Sequence, residues 1–590
     1  MSMGDTMAPQ YMEAYRQWLL GDGFDQRTKD ELKAIEGDER EIEERFYREL
    51  AFGTGGLRGI IGAGTNRMNV YTVGKVTQGL CDSLLAGSPD AAGRGVVIAR
   101  DPRFMSEEFA LECALIVAAN GMKAYLFDGI RPTPVLSFAV RHLKCAAGIM
   151  ITASHNPSKY NGYKAYGPDG AQMSVEDSER VIDYTERVGG YGAIRRMDRG
   201  EAERRGLLEV VGKGVDDAYV ALVRGLSLRL GQIKDVARNF KIIYTPLHGT
   251  GNVLVRRVLA ENGYESVLVV PEQELPDPNF STVESPNPEN RSAFDLAIRL
   301  AGREDVDIII GTDPDCDRLG VVFRDFGGEY VVLTGNQIGC LLMEYILEAR
   351  RDAGELRDGD FVVKTIVTTK LANMIADSFG VEMREVFTGF KYICGLVKEL
   401  DELGGRRFLY GFEESNGYLA GSFVRDKDAV IASMLVAEMA AWRRSRNQTL
   451  ADALGEIYEK YGYTMDDAIS YTLEGKEGLG RIAGAMDALR RERPSAFGSF
   501  AVRTCKDYLT QEVLSGGRTP AGGTAMGETS NVLHYIMEDG SCYLVRPSGT
   551  EPKIKVYFGV TDRTRDGAAE LLRRFEGDVT AVIKGHLGLS

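Results

Sequence analysis

The chain has 590 residues with ordinary hydrophobic and charged fractions of 44% and 27%, so it should be a globular protein with several hydrophobic cores. Its net charge of −15 argues against nucleic acid or an anionic membrane as a partner, although a locally basic cleft could still bind a small anion. The eight cysteines form no CxxC pair and there are five histidines, which argues against zinc sites and favours a reducing, cytoplasmic compartment.

The predicted elements, taken in order, fall into four units. Residues 1–50 are charged and helical in pattern, and we expect an arm or a first helix on the surface. Strands alternate with helices from residue 70 to 190, again from 215 to 310 and again from 330 to 446, as is typical of α/β domains with mostly parallel sheets. After residue 449 the pattern indicates a smaller α+β domain. The fold class is therefore α/β, with predicted domains at 1–210, 211–328, 329–448 and 449–590.

No apolar run reaches the ~20 residues that a membrane span needs. The longest candidate, Ala429 to Trp442, is short and contains Glu438, so it predicts a buried helix. The N-terminal segment lacks an apolar region, and we expect no signal peptide.

A serine follows the strand predicted over Ala146 to Ile151, in the stretch Thr-Ala-Ser-His-Asn-Pro. Ser154 is anchored by that strand and open in front, which suits a nucleophile, although such a serine more often caps a turn. There is no G-x-S-x-G elbow, so His155 is interpreted as a phosphate neighbour and not as a triad base. Lys164 could neutralise a phosphoryl oxygen; a solvated surface lysine is the alternative.

Three carboxylates follow a predicted buried strand, at Asp313, Asp315 and Asp317. Carboxylates clustered at a strand end would repel one another strongly if left alone, and hard oxygen ligands of this kind suit Mg²⁺. Arg318 stands where an EF-hand requires glycine, which excludes that motif. A solvated acidic turn is the alternative.

Two further loops carry polar side chains at predicted strand ends. Glu413 and Ser415 follow one strand, where carboxylate and hydroxyl groups can bind vicinal sugar hydroxyls. Lys391 follows Thr388 and Gly389 after another strand. An ordinary polar turn is the alternative for both loops.

A possible anion cradle lies between two strands of the last unit. Arginine, hydroxyl and glycine amide groups can bind phosphate oxygens there, and they come from Arg546, Ser548, Gly549 and Thr550. No NTPase P-loop sequence is present, and a tight turn with a structural arginine is the alternative. Each of the four units therefore contributes one feature: a serine, a carboxylate loop, a sugar-binding loop and a phosphate cradle. Together they indicate phosphoryl transfer on a phosphosugar.

These motifs occur from about Phe52 to Phe558, in the order found in the α-D-phosphohexomutase superfamily. They are Thr-Ala-Ser-His-Asn-Pro, Asp-x-Asp-x-Asp-Arg, Glu-Glu-Ser and Arg-Pro-Ser-Gly-Thr-Glu-Pro. The chain resembles that superfamily and, within it, the larger phosphoglucomutases. The resemblance implies three similar α/β domains and a smaller C-terminal domain around a central cleft, and an intramolecular phosphotransferase of the isomerase class.

The resemblance also implies a reaction. A phosphoserine at position 154 would phosphorylate glucose 1-phosphate, and the resulting glucose 1,6-bisphosphate would turn end for end and return its other phosphate, releasing glucose 6-phosphate. Mg²⁺ would be bound by an oxygen of that phosphoserine and by Asp313, Asp315 and Asp317. Glucose 1,6-bisphosphate would be both intermediate and activator.

Further roles are carried over from the same resemblance. Lys391 would be the general acid or base, and His155, Lys164 and Arg58 would support the phosphoserine. The substrate would be held by Thr388, Gly389, Glu413, Ser415, Arg318, Arg546, Ser548, Gly549 and Thr550.

Alternatives remain at two levels. Phe412, between Gly411 and Glu413, departs from the commonest sugar-loop pattern, so a phosphopentomutase, a phosphomannomutase or a sugar bisphosphate synthase with the same chemistry stays open. A Mg²⁺-dependent phosphatase would have no use for a distal phosphate cradle. A non-catalytic sugar-phosphate sensor need not keep the serine and the aspartates. The sequence makes no prediction of oligomeric state.

Overall fold

The computed structural model describes residues 9–53, 55–473, 475–516, 519–520, 529–548 and 552–589. Four sheets, each with its own helices, follow one another along the chain, and we call these sheets and their helices the first to fourth units. The predicted fold class is confirmed: three α/β units with mixed sheets precede an α+β unit. The exact domain boundaries stay a prediction.

Three helices lead into the first unit, where one surface helix or an arm was expected. They are amphipathic, and their buried residues Tyr15, Trp18 and Phe46 form a small core with Ala63 and Tyr71. The helices are therefore packed onto the first unit. Their bounds are α1 (Gln10–Leu20), α2 (Gln26–Ala34) and α3 (Glu39–Phe46).

The first unit is a six-stranded sheet in the order β1-β5-β4-β2-β3-β6. Strands β4, β2, β3 and β6 are parallel to one another. At one edge of the sheet, β5 is antiparallel to both of its neighbours, β4 and β1. Its elements are β1 (Gly56–Ile60), α4 (Val70–Gly87), α5 (Ala91–Arg94), β2 (Val96–Arg100), α6 (Ser106–Ala119), β3 (Ala124–Phe127), α7 (Thr133–His142), β4 (Ala147–Ile151), β5 (Tyr160–Tyr166), α8 (Val175–Glu186), α9 (Arg199–Arg204) and β6 (Leu208–Val211).

The second unit is a five-stranded sheet in the order β11-β10-β9-β7-β8. The strands β9, β7 and β8 are parallel, and β10 and β11 are antiparallel. Its elements are α10 (Lys213–Arg224), α11 (Leu230–Asn239), β7 (Lys241–Thr245), α12 (Gly251–Glu261), β8 (Ser266–Val269), α13 (Pro271–Glu274), α14 (Asp295–Ala301), β9 (Ile308–Thr312), β10 (Leu319–Arg324) and β11 (Tyr330–Val332).

The third unit is a four-stranded sheet in the order β13-β12-β14-β15, with only β15 antiparallel. Its last helix covers the apolar run at Ala429 and is buried over most of its length, as predicted. The elements are α15 (Gly335–Asp352), β12 (Asp360–Thr365), α16 (Leu371–Ser378), β13 (Glu382–Val386), α17 (Phe390–Leu403), β14 (Arg407–Glu413), β15 (Gly417–Ala420) and α18 (Ala429–Ser445). None of the described helices could cross a membrane.

The fourth unit is an antiparallel sheet whose main path is β16-β23-β22-β21-β18-β19-β20. Helix α19 leads into it, and α20 and α21 pack together beside the sheet. The elements are α19 (Leu450–Tyr461), β16 (Tyr463–Thr472), α20 (Gly475–Glu492), β17 (Ala496–Phe497), β18 (Phe500–Asp507), β19 (Glu512–Ser515), β20 (Thr519–Pro520), β21 (Leu533–Met537), β22 (Cys542–Pro547), β23 (Lys553–Asp562) and α21 (Arg565–Leu587).

The first three units share one local topology. A buried strand ends, the chain forms a polar loop, and it returns as the antiparallel neighbour: β4 to β5, β9 to β10 and β14 to β15. Each loop contains one non-glycine residue with left-handed backbone torsions, Ser154 (φ 53°), Cys316 (φ 54°) and Asn416 (φ 59°). Such torsions are unfavourable for most side chains, so the three turns are tightly specified.

Phe412, the residue that departs from the common sugar-loop pattern, is fully buried in β14. Its ring lies against Gly339 of α15, where an added Cβ would come within 2.1 Å of the ring carbons. The glycine therefore lets the helix approach the strand that carries Glu413.

We predict that Gly339→Ala lowers the thermal unfolding midpoint, because overpacking of this kind costs about 1–3 kcal/mol. Gly395→Ala is the matched control, since Gly395 lies in α17 with nothing within 4 Å of an added Cβ. The control should be neutral or stabilising by up to ~1 kcal/mol. Equal midpoints for the two variants, measured by circular dichroism, would show that the close approach is unimportant.

Candidate active site

The serine loop of the first unit and the carboxylate loop of the second unit meet around one cavity of about 210 Å³, which Glu413 and Ser415 do not line. The first unit contributes Ser154 and Lys164, the second Asp317 and Arg318, and the chain just before α18 contributes Lys427. The other lining residues are Gly55, Gly56, Leu57, Arg58, Thr152, His155, Tyr163 and Gln172. Residues predicted from separate motifs therefore lie together.

Ser154 lies at the edge of this cavity and faces the carboxylate loop. Its Oγ donates to Oδ2 of Asp313 at 2.9 Å and lies 3.2 Å from Nδ1 of His155. Burial, together with the cations Arg318 and Arg58, lowers the pKa of His155 to about 2, so the imidazole is neutral. Among the described residues, no carboxylate hydrogen-bonds the ring, which agrees with the absence of a triad.

A buried arginine that the sequence analysis missed fixes the shape of the serine loop. Arg103 donates to the backbone carbonyl oxygens of Ser154 (2.5 Å), Asn156 (2.6 Å), Pro157 (3.0 Å) and Tyr160 (3.1 Å). Its guanidinium also lies 4.9 Å from the ring centre of a second-unit phenylalanine. Because the donors of one guanidinium are rigidly arranged, this side chain holds the loop in a single conformation.

Arg103 is itself held by a buried carboxylate. Nε of Arg103 donates to Oδ2 of Asp101 at 3.0 Å, and the same oxygen accepts from Oγ1 of Thr152 at 2.7 Å. Thr152 Oγ1 in turn accepts from the backbone N–H of Ser154 at 2.8 Å. The sequence Asp-Pro-Arg after β2 was the available signal, since a polar turn at a buried strand end resembles the other site loops.

The three aspartates of the second loop are almost completely buried, and one oxygen from each lies within 4.8 Å of the others. Burial and the neighbouring carboxylates raise the pKa of Asp313 well above its usual value. Burial also disfavours the Asp315 anion, but the Lys164 ammonium at 2.7 Å and the Thr133 hydroxyl at 2.8 Å outweigh it and lower the pKa.

The aspartate cluster fits a hard divalent cation. Oδ1 of Asp315 and Oδ1 of Asp317 are buried and have no hydrogen-bond partner among the described residues. Buried acceptors of this kind are costly unless something satisfies them. Three carboxylates beside the Ser154 hydroxyl are the oxygen donor set that Mg²⁺ prefers.

Two lysines balance the carboxylates, and only one was predicted. Nζ of Lys164 lies 2.7 Å from Asp315 and 3.4 Å from Asp317, and Nζ of Lys427 lies 3.3 Å from Asp317. Burial disfavours both ammonium groups, but the neighbouring carboxylates outweigh it and raise both pKa values. Both lysines are therefore charged at neutral pH. Lys427 was missed because it lies outside every motif.

The loop at Glu413 is joined directly to the carboxylate loop of the second unit. The backbone N–H of Leu319 donates to the carbonyl oxygen of Asn416 at 3.1 Å, and Nδ2 of Asn416 donates back to the Leu319 carbonyl at 2.8 Å. Glu413 is buried, and burial with the Glu414 charge raises its pKa to about 7 despite Lys427 nearby. A carboxyl group that is half protonated near neutrality can both donate and accept hydrogen bonds. Ser415 lies in the same turn.

The predicted acid or base, Lys391, lies in the first turn of α17. It does not line the cavity at Ser154; its Nζ lies 5.1 Å from the ring centre of Tyr392. Gly389 precedes the helix with φ 123°, a torsion that favours glycine. Thr388 Oγ1 is buried and has no hydrogen-bond partner among the described residues.

The predicted phosphate cradle lies at the end of β22. Arg546 pairs across the sheet with Lys555, and Ser548 donates its backbone N–H to the Lys553 carbonyl at 2.7 Å. Burial, with the Arg546 and Lys553 charges, lowers the pKa of Lys555, which reflects a concentration of positive charge. Gly549 and Thr550 lie outside the described residues.

Four family models match the chain in order. They are described as phosphoglucomutase/phosphomannomutase alpha/beta/alpha domains I (residues 49–190), II (217–328) and III (334–461) and the C-terminal domain (511–574). A phosphoglucomutase of Staphylococcus aureus is 38% identical over 92% of this chain and 96% of its own length. One from Staphylococcus saprophyticus is 36% identical over 96% and 98%.

Solved structures show the same fold. The open form of parafusin, a phosphoglucomutase from Paramecium, superposes with a TM-score of 0.67 at 16% identity, over 92% of this chain and 96% of that one. A phosphoglucomutase/phosphomannomutase family protein from Burkholderia thailandensis gives a TM-score of 0.65 at 19% identity, over 91% of this chain and 97% of that one.

The chain belongs to the phosphoglucomutase/phosphomannomutase family. It is an enzyme of the phosphotransferase and isomerase type, a phosphohexomutase.

We predict that the purified protein binds Mg²⁺ and that Asp315→Asn weakens this binding at least about tenfold, because it removes a charged oxygen ligand. Titration calorimetry measures this without any assay of activity. Asp305→Asn is the charge-matched control, since the Asp305 side chain is 93% exposed. Equal Mg²⁺ affinity for the two variants would exclude a metal site at the aspartate cluster.

Proposed function

We propose that this enzyme interconverts glucose 1-phosphate and glucose 6-phosphate through a phosphoserine at Ser154 and a glucose 1,6-bisphosphate intermediate. The observation that carries the proposal is the position of Ser154 Oγ, 2.9 Å from Asp313 and beside the cavity that Lys164 and Lys427 also line. Relatives named phosphoglucomutase at 36–38% identity support glucose as the sugar.

Phosphoryl transfer depends mainly on positioning and charge neutralisation. Ser154 Oγ stores the phosphoryl group; its O–P bond breaks as a new O–P bond forms to a sugar hydroxyl, whose proton leaves to a nearby base. The two charged lysines, Lys164 and Lys427, lower the cost of negative charge on the phosphoryl oxygens. Arg103 keeps the serine loop in place during both half reactions.

The metal loop would hold Mg²⁺ through Asp313, Asp315, Asp317 and a phosphoserine oxygen, and the ion would supply further neutralisation of the phosphoryl charge. On the protein side, Arg318 approaches Asp317, with 3.9 Å between Nε and Oδ1, and donates to Glu289 at 2.5 Å. These two contacts of Arg318 hold the carboxylate loop in position.

The sugar is held in either orientation by groups that do not distinguish its ends. Glu413, Ser415, Thr388 and Gly389 are assigned to the sugar by the family resemblance, with Glu413 and Ser415 binding its hydroxyls. Arg546 and Ser548, together with Gly549 and Thr550, bind the phosphate that is not reacting. Lys391 is the proposed acid or base. It does not line the cavity at Ser154, whereas Lys427 does.

We predict that the ratio kcat/KM is highest for glucose 1-phosphate in a panel with mannose, ribose and deoxyribose 1-phosphates. A higher ratio for mannose or a pentose would reassign the substrate.

We predict that Ser154→Ala lowers kcat for every sugar by more than about a thousandfold, because it removes the group that carries the phosphoryl. Normal turnover by folded Ser154→Ala would exclude the phosphoserine mechanism.

We predict that Arg546→Ala raises KM for glucose 1-phosphate roughly 10- to 100-fold, since charged hydrogen bonds contribute ~1.5–3 kcal/mol. The effect on kcat should be smaller, because the distal phosphate does not react. Arg563→Ala, an exposed arginine of the same unit, controls for general loss of positive charge. If both variants keep the KM of the wild type, Arg546 does not bind the substrate phosphate.

A further inference from the structure

A second cavity, of about 270 Å³, lies between the third and fourth units. It shares no residue with the cavity at Ser154. The third unit contributes Lys364, Lys370, Asn373 and Glu385, among others. The fourth unit contributes Arg503, Lys506, His534 and Asp466. Nothing in the proposed reaction uses this space.

The walls of this cavity are rich in positive charge. Nζ of Lys364 lies 3.1 Å from Glu385, so these two charges compensate each other. Lys370, Arg503 and Lys506 are opposed only by Asp466 among the other lining residues. Four cations against two carboxylates leave an excess of two positive charges, which favours a doubly charged anion.

Two buried polar atoms in the walls have no hydrogen-bond partner among the described residues, Nδ1 of His534 and Oδ1 of Asn373. Lys506 and His534 are directly opposite each other on β18 and β21, so their donors lie side by side. Nζ of Lys370 donates to the Gly540 carbonyl at 2.6 Å and has two further protons to donate. The cavity thus offers cationic and neutral donors and one amide acceptor.

We propose that this cavity binds a small phosphate monoester that also carries a hydroxyl group. Its phosphoryl oxygens accept hydrogen bonds from Lys506, Lys370 and His534, and its hydroxyl donates to Asn373. The volume of about 270 Å³ equals that of roughly nine water molecules at ~30 Å³ each, which is enough for such a ligand.

The position of the cavity gives the ligand a regulatory role. On β22, Cys542 and Leu544 line the cavity, and Arg546 of the phosphate cradle follows two residues later on the same face of the sheet. On the opposite wall, the hydroxyl of Thr368 donates to Oε2 of Glu414 at 3.3 Å. A bound ligand therefore fixes the cradle relative to the sugar loop.

The test uses the full-length enzyme and glycerol 3-phosphate as the probe. We expect calorimetry to show a site that Lys506→Gln weakens at least tenfold and that Arg546→Ala retains. Lys234→Gln, an exposed lysine of the second unit, is the charge-matched control and should bind as the wild type does. Without the probe, Lys506→Gln should keep the kcat and KM of the wild type for glucose 1-phosphate.

Glycerol 3-phosphate should lower kcat at saturating glucose 1-phosphate for the wild type and not for Lys506→Gln. Unchanged binding to Lys506→Gln, or binding lost only in Arg546→Ala, would overturn the proposal. Inorganic phosphate should bind more weakly than the ester; equal affinity would exclude the hydroxyl contact and with it the monoester. If Lys506→Gln does not fold, Lys370→Gln takes its place under the same criteria, because Lys370 is the other lysine of the proposed contact.

Discussion

The cost of burying three carboxylates within 4.8 Å of one another is the constraint on which the active site depends. Two unit charges ~4 Å apart repel by about 4 kcal/mol at an effective dielectric constant of ~20, so the loop needs cations from outside itself. Lys164 comes from the first unit and Lys427 from the chain before α18. The charge balance of one loop therefore requires its neighbours to be docked.

The three loops are also joined by hydrogen bonds that only the assembled enzyme can make. Ser154 bonds Asp313, Thr133 bonds Asp315, and Asn416 exchanges two bonds with Leu319. Each loop keeps one side chain in the left-handed region, at a cost on the order of 1 kcal/mol. These contacts offset that strain and specify one geometry.

Much of this arrangement could be predicted because its signals are local. Buried strands followed by polar loops located the serine, the aspartates and Glu413, and α18 was found from its apolar run. The returning strands β5, β10 and β15 were all missed; for β5, the sequence Tyr-Asn-Gly-Tyr-Lys-Ala-Tyr lacks the apolar alternation of a strand. Arg103 and Lys427 were missed because their partners are distant in sequence: Arg103 and Tyr160 are 57 residues apart.

The fourth unit differs from the others in how it is attached. Helix α19 joins the large core that runs through the first three units. Beyond α19, the sheet of the fourth unit packs on the third unit through a small apolar cluster, Ile366, Val367, Phe387, Tyr508, Val532, Leu544 and Tyr557. Small interfaces permit relative domain motion. In the proposed reaction the bisphosphate intermediate turns end for end, and such a turn is easier if the fourth unit, which would hold the distal phosphate, can move. In that proposal Ser154 and the three aspartates keep their positions, and the fourth unit supplies the movement.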